Sequence, residues 1–147
     1  MVNLFLGPTH DLSFLYNDEE AIRVTPQEIA TFIMQDEIIA VYNGRSEAGP
    51  RALGNRSILY DPRDINTKET VNKVKKRERF RPFAAAVLKE HANEWFDMSR
   101  LDESPTMSYA VQTRKNKKDL IPGVVHIDDT CRVQTVGKDI PHLYEVI

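Results

Sequence analysis

The sequence predicts an α/β domain (α+β, with a mixed sheet) in which helices flank the β-strands. A strong helix start at Thr25, an apolar β-branched run over 38–42 and an alternating segment over 130–136 are the observations behind this prediction. With 147 residues, 41% of them hydrophobic, the chain is long enough to bury one core. We therefore expect a single domain over residues 1–147.

The N-terminal third is predicted to contain a strand, a helix and two more strands. Residues 2–6 are apolar and of strand length, and Gly7-Pro8 is expected to end that strand. Thr25 is the expected N-cap of the helix, because Pro26 suits the first helical position and Glu28 closes a capping box. Two short apolar segments, 38–42 and 57–60, are the next predicted strands.

The remaining elements follow from similar signals. Asn66, with Glu69 three residues later, predicts a second helix that begins with Asn66 as its cap. The residues after Pro82 predict a buried strand over 83–88. We further expect a short helix over 89–96, strands over 107–111, 124–127 and 130–136, and a last helix that begins at Pro141.

A loop rich in glycine and arginine lies between two of these strands, over residues 44–57. Gly44, Gly49, Gly54 and Pro50 exclude a continuous helix or an ordinary strand. Glycine permits close approach of a ligand to the backbone, and arginine offers a planar fork of donors for phosphate or carboxylate. The loop carries Arg45, Arg51 and Arg56 and is predicted to bind phosphate, although neither the P-loop nor the G-x-G-x-x-G pattern is present. The alternative is a turn with solvated arginines.

Positive charge is concentrated around this loop. The chain has a formal net charge of −2, but residues 45–81 contain eleven Lys and Arg against five Asp and Glu. Such a basic segment in an acidic protein indicates a local anionic ligand. Lys73, Arg77, Arg79 and Arg81 are candidates to share that ligand with the loop. For Lys75 and Lys76 a solvated helix end is an equally simple interpretation.

A third group of polar residues precedes the last predicted strand. On a strand His126 and Asp128 would share one face, where they could bind a metal, orient a substrate or be merely structural. Cys131 is the only cysteine, so it is interpreted as a small buried hydrophobic residue rather than a nucleophile. No secretory signal and no apolar run of membrane-spanning length is present in the sequence, which predicts a cytoplasmic protein.

Three long motifs carry a family resemblance that extends from about Leu4 to the last residue. The motifs are Gly44-Arg45-Ser46-Glu47-Ala48-Gly49-Pro50-Arg51-Ala52-Leu53-Gly54-Asn55-Arg56-Ser57-Ile58-Leu59 with Asp61-Pro62-Arg63, then Lys75-Lys76-Arg77-Glu78-Arg79-Phe80-Arg81-Pro82-Phe83-Ala84, and then His126-Ile127-Asp128-Asp129-Thr130-Cys131-Arg132-Val133-Gln134-Thr135-Val136. Together they resemble the C-terminal domain of the O-carbamoyltransferases, the family of the nodulation-factor and antibiotic-tailoring enzymes.

The resemblance implies a YrdC-like twisted sheet that binds ATP, with Mg²⁺, and carbamoyl phosphate. It implies formation of a carbamoyl-adenylate with release of pyrophosphate, and transfer to a hydroxyl acceptor by a separate N-terminal domain of the sugar-kinase/actin-like type. Arg51, Arg56 and Arg81 would be the catalytic residues, and no metal ligand is assigned. The binding residues implied by the motifs are Arg45, Arg51, Asn55, Arg56, Ser57, Lys76, Arg79, Arg81, Thr130, Arg132 and Gln134.

Several features depart from the family pattern. Ser46 and Ala48 replace larger residues, and Asp129 stands where the family has glycine. The resemblance also implies that the N-terminal transferase domain is absent and that this chain is truncated at its C-terminus. The expected partner is then a separate transferase-type protein, and neither a membrane nor a nucleic acid is expected.

Two other functions remain open from the sequence. The basic segment 45–81 could bind only nucleotide or structured RNA. Alternatively, the domain could be an inactive remnant that only docks a partner.

Overall fold

The computed structural model describes residues 6–147, which form eight strands and four α-helices. The predicted strand over 2–6 lies outside the described residues, apart from Leu6. The strands are β1 Leu6–Thr9, β2 Ile39–Tyr42, β3 Arg45–Glu47, β4 Arg56–Leu59, β5 Ala84–Leu88, β6 Phe96–Asp97, β7 Ala110–Thr113 and β8 Thr130–Val136. The α-helices are α1 Pro26–Met34, α2 Thr67–Val74, α3 Ala92–Trp95 and α4 Pro141–Val146, with 3₁₀ turns at Ser13–Asn17, Lys89–His91 and Lys118–Leu120.

A four-stranded mixed sheet in the order β5-β8-β7-β6 forms the centre of the fold. β5 runs parallel to β8, whereas β7 is antiparallel to β8 and β6 is antiparallel to β7. Two antiparallel pairs, β1 with β3 and β2 with β4, complete the strands. The prediction of an α/β fold with a mixed sheet is confirmed.

One face of β8 packs into the hydrophobic core. Cys131 and Val133 are fully buried there, against Val87 of β5 and against Phe96 and Met98. Burial raises the pKa of the Cys131 thiol to about 12, so the group stays neutral at ordinary pH. The interpretation of Cys131 as a buried hydrophobic residue is confirmed.

Helix α1 begins as its sequence predicts. The backbone N–H of Thr25 donates to Glu28 Oε2 at 2.7 Å, and the N–H of Glu28 donates to Thr25 Oγ1 at 3.3 Å, which completes the capping box. The helix buries Ile29 and packs against α4, which also begins with the predicted proline.

Helix α2 begins differently from the prediction. The Asn66 side chain makes no capping hydrogen bond, because its backbone (φ −88°, ψ 1°) lacks the extended conformation of an N-cap. The buried Thr67 hydroxyl instead donates to the carbonyl oxygens of Asp61 and Asp64, at 2.9 and 2.6 Å. The start of α2 is therefore fixed to the preceding turn by Thr67.

The predicted strand over 124–127 is wrong. The backbone of this segment and of the adjoining Gly123 bonds outside any sheet: Gly123 N–H donates to Pro62 O at 2.9 Å, and Lys68 Nζ of α2 donates to Val125 O at 2.6 Å. The segment is a turn whose apolar Val124 packs in the core.

Other boundaries shift for local reasons. β1 continues through Gly7-Pro8 as an edge strand, where proline is tolerated. β7 begins only at Ala110, because the left-handed Met107 (φ 53°) interrupts the extended chain before it. The predicted helix over 89–96 divides into a 3₁₀ turn and α3, since Phe96 is extended and begins β6. No helix in the described part of the chain is both long and apolar enough to cross a membrane.

Candidate functional site

The glycine–arginine loop, residues 44–57, folds back on itself between β2 and the start of β4. All three of its glycines adopt positive φ, at 49° for Gly44, 103° for Gly49 and 116° for Gly54. Side-chain-bearing residues are strained in these conformations, so the glycines have the turn-forming role that the sequence predicts. The loop also contains the short strand β3, which the prediction did not include.

The Glu47 carboxylate lies at the centre of this loop. Its Oε1 accepts the backbone N–H of Leu53 and of Asn55, each at 2.8 Å, and its Oε2 accepts the N–H of Arg56 at 3.2 Å. One acidic side chain thus fixes three backbone amides within residues 53–56.

Neighbouring elements hold the loop from outside. Ser57 Oγ accepts the N–H of Gly54 at 2.8 Å, and Gln134 Nε2 on β8 donates to Leu53 O at 2.8 Å. His142 Nε2 on α4 donates to Gly54 O at 2.9 Å. The loop is therefore fixed to the central strand and to the last helix.

The three loop arginines have different surroundings. Arg45 is exposed, and its Nε donates to Gly7 O at 2.7 Å. The Arg56 guanidinium stacks on Tyr42, 3.7 Å from the ring centroid, and its Nη1 donates to main-chain carbonyls, among them Asn55 O at 3.0 Å. Arg51 is half-buried at the turn after Pro50, and its buried Nε has no hydrogen-bond partner among the described residues.

The predicted polar residues of this loop are mostly part of its framework. Asn55 is buried, and its backbone carbonyl accepts the N–H of Asn43 at 2.8 Å. Ser57 is buried beneath Gly54, and Arg56 joins β4 to the start of the loop. Of the predicted catalytic residues in the loop, Arg51 is the one with a buried donor that has no partner among the described residues.

A basic turn, residues 76–81, follows α2 and is held by Asn72. The Asn72 side chain is 0% exposed, and its Nδ2 donates to Arg79 O at 3.1 Å and to Arg81 O at 3.0 Å. Its Oδ1 accepts a hydrogen bond from Arg77 Nε. A buried amide with three partners makes this turn a fixed structure rather than a frayed helix end.

The side chains of the basic turn point mostly to solvent. Arg79 pairs with Glu69 at 3.1 Å and Arg81 with Glu78 at 2.7 Å, while Lys76 is exposed with φ 50°. Arg77 stacks on Phe83, and burial, then the charge of Arg81, lowers its pKa. Exposed ion pairs contribute little to stability, so Arg79 and Arg81 can exchange their partners for a ligand anion.

The third group of polar residues, which begins at His126, does not form a strand with His126 and Asp128 on one face, as was predicted. His126 to Thr130 is a turn in which Asp128 Oδ1 accepts the Thr130 hydroxyl at 2.7 Å and its N–H at 3.1 Å. These bonds, with the hydroxyl as the larger cause, lower the pKa of Asp128. The imidazole of His126 lies 3.0 Å from Thr130 Oγ1 and 3.4 Å from Phe83 O. His126 therefore joins this turn to the residues that lead into β5.

Asp129 adopts the left-handed conformation, with φ 62°. Glycine is the residue that this conformation favours, and Asp tolerates it better than most others. Its carboxylate pairs with Lys118 at 3.1 Å. Asp129 thus adds a partly exposed, paired charge to this turn.

Arg132 and Gln134 lie on the same face of β8 because strand residues alternate. Gln134 is 1% exposed beneath the loop, whereas Arg132 is half-buried next to Ala84 and Ala110 of the neighbouring strands. Because alanine side chains are short, this part of the sheet surface has little side-chain bulk around Arg132. The basic turn precedes β5, whose first residue, Ala84, lies opposite Arg132 in the register of β5 and β8.

Three residues that hold the site together were not predicted from the sequence. Glu47 was recognised only as a member of the first motif, and neither Asn72 nor His142 was singled out. Their signals in the sequence are weak: an acid between glycines, and an asparagine beside the apolar Val71 of a helix. In the part of the chain that the structure describes, no group of three or more His, Cys, Asp or Glu is placed to hold a metal ion.

Comparison with known proteins identifies the family to which this sequence is similar. Residues 30–147 match the family model described as carbamoyltransferase C-terminus. Nodulation protein NolNO of Sinorhizobium fredii is 49% identical over 121 residues, which cover 80% of this chain and 18% of that protein. Nodulation protein U of Bradyrhizobium diazoefficiens is 36% identical over 140 residues, which cover 95% of this chain and 24% of that protein. The chain thus spans about a fifth to a quarter of the length of these relatives.

Proposed function

This chain belongs to the carbamoyltransferase family as a C-terminal domain, and from this membership we propose that it binds ATP and carbamoyl phosphate and forms a carbamoyl-adenylate. The observation that supports the proposal most is the glycine–arginine loop, in which the buried Arg51 Nε has no hydrogen-bond partner within residues 6–147. Arg132 and the arginines of the basic turn supply further positive charge around the same strands.

The proposed reaction moves the carbamoyl group as carbamate. A carbamate oxygen forms the new bond to the α-phosphorus of ATP while the bond to the bridging oxygen breaks and pyrophosphate leaves. Carbamate arises from carbamoyl phosphate and water, with release of inorganic phosphate. Arginine donors would stabilise the charge that develops on the phosphoryl oxygens, and Mg²⁺ would enter on the ATP phosphates.

Transfer of the carbamoyl group to a hydroxyl acceptor is a further proposal. Because the chain spans only about a fifth to a quarter of its relatives, we assign that step to a separate domain or protein of the N-terminal transferase type. The identity of the acceptor would then be determined by that partner.

The first test is calorimetric titration of the chain with Mg·ATP, with and without carbamoyl phosphate, beside an Arg51→Ala variant. Loss of a buried charge-assisted contact should weaken binding by about 2–5 kcal/mol. Arg100→Ala is the matched control, because it removes the same charge from an exposed position outside the loop. Equal affinity of the wild type and Arg51→Ala would contradict the assignment of the nucleotide to this loop.

One observation favours a second candidate function, the binding of single-stranded RNA. Phe80 is 81% exposed between Arg79 and Arg81, so its ring is accessible to a base. A base stacked on Phe80 contributes about 1–3 kcal/mol, so Phe80→Ala should weaken RNA binding by that amount if this function is correct. A steep salt dependence of the RNA affinity would support it, and Mg·ATP binding with no measurable RNA binding would exclude it.

A further inference from the structure

Three backbone amides of the glycine–arginine loop converge on one side chain. The N–H groups of Leu53 and Asn55 lie 2.8 Å from Glu47 Oε1, and that of Arg56 lies 3.2 Å from Oε2. Backbone amides that converge in this way form an anion-binding concavity, or nest. Here the anion is supplied by the protein itself.

From this geometry we propose that Glu47 is the positioning residue of the site: its carboxylate closes the loop and thereby places Arg51 for the ligand. The inference rests on the proposed function only for the identity of that ligand. Arg51 lies between the anchor at Glu47 and the amides at Leu53 and Asn55, so the closure determines where its guanidinium points.

The outer contacts of the loop cannot replace this closure. Ser57, Gln134 and His142 bond only to the backbone of Leu53 and Gly54. Residues 48–52, which carry Arg51, are attached to the rest of the loop chiefly through Glu47 at one end and Leu53 at the other. Without the carboxylate, three partly buried N–H groups lose a charged acceptor and the segment is free to open.

The proposal is testable because the charge of Glu47 and its positioning role predict opposite changes in the affinity for Mg·ATP. Glu47 is an acid among Arg45, Arg51 and Arg56, so its neutralisation makes the loop more positive. If Glu47 acted only through its charge, Glu47→Gln would bind Mg·ATP more tightly. If it positions Arg51, the same variant binds more weakly, because glutamine has one acceptor oxygen and places an amide group against the backbone donors.

The experiment combines hydrogen exchange by NMR with Mg·ATP titration, on the wild type, Glu47→Gln and Glu47→Ala. We expect exchange at Leu53, Asn55 and Arg56 to accelerate about tenfold or more in both variants, with the β8 amides unchanged, and the affinity for Mg·ATP to fall about tenfold or more. Sodium formate should restore slow exchange and affinity in Glu47→Ala, because the half-buried site left by the side chain can admit a small carboxylate. Glu103→Gln, which removes the same charge from a surface ion pair with Lys89, should change neither property.

Each outcome decides the proposal. Unchanged or tighter Mg·ATP binding by Glu47→Gln overturns it, as does loss of affinity together with fast exchange in β8, which would indicate general unfolding. Failure of the wild type to bind Mg·ATP would contradict the proposed function instead. In that case the amide exchange rates decide the role of Glu47. Slow exchange restored by formate in Glu47→Ala supports the positioning role, and unchanged exchange in both variants overturns it.

Discussion

Gly54 shows how a single residue fixes the glycine–arginine loop to the rest of the molecule. It adopts φ 116°, and a Cβ built there would lie 2.8 Å from Leu143 Cδ2 of α4. Backbone conformation and close packing thus both require glycine at this position.

We expect Gly54→Ala to destabilise the protein by about 2–4 kcal/mol, because backbone strain and overpacking add at this site. Gly44→Ala is the matched control: its φ is 49°, and the nearest atom to an added Cβ is Asn55 Oδ1 at 3.4 Å. That variant should lose about 1 kcal/mol, the usual cost of the left-handed conformation. Urea unfolding of both variants measures the difference, and equal losses would show that the contact with Leu143 is unimportant.

At the scale of elements, α2 and the basic turn form one unit through Asn72. The side chain of Asn72 uses both ends of its amide, as donor to two carbonyls and as acceptor from Arg77. A helix of eight residues is marginal without tertiary contacts, so these bonds stabilise both the end of α2 and the turn.

Asn72→Ala should therefore lower the free energy of unfolding by about 1–3 kcal/mol, because it leaves buried carbonyl groups unsatisfied. Asn66→Ala, at the position predicted as the cap of α2, should change stability by less than about 0.5 kcal/mol, since its side chain makes no capping bond. Thermal unfolding of the two variants checks the contrast. A larger effect at Asn66 would mean that its side chain caps α2 in solution.

Elements whose contacts are close in sequence could be predicted, whereas those that depend on distant residues could not. Thr25 and Glu28 are close in sequence, and their capping box was predicted and is present. The alternation over 130–136 likewise predicted the bounds of β8. The apolar segment 124–127 was mistaken for a strand because its backbone partners, Pro62 O and Lys68 Nζ, lie about 60 residues away in the sequence. The roles of Glu47 and Asn72 were equally invisible, because each depends on how the backbone folds around the side chain.

At the scale of the whole molecule, hydrophobic burial is uneven. In the described residues up to position 60, the buried apolar side chains are Ile29 and Leu53, whereas the main cluster lies between Val87 and Val133. Phe14, Tyr16 and Met34 of the N-terminal third are exposed. Two-stranded sheets such as β1–β3 and β2–β4 are marginal on their own.

This unevenness predicts two levels of amide protection. Exchange should be slowest in β5 and β8, where opening requires global unfolding, and much faster in β1 and β3. Native-state hydrogen exchange in low concentrations of urea measures both levels. A single common opening energy for all strands would contradict the prediction and would mean that the N-terminal third unfolds together with the core.

The position of β8 has a consequence for the synthesis of the chain. β8 is the last of the described strands to be made, yet it pairs with both β5 and β7 at the middle of the sheet. At about 5–20 residues per second, the ribosome needs about 2–8 s to pass from the end of β5 to the start of β8. Until β8 is made, β5 lacks its partner in this sheet and β7, once synthesised, lacks one of its two, so the incomplete sheet has unpaired edges. A nascent polypeptide paused before Thr130 is therefore the form of this domain that most needs a chaperone.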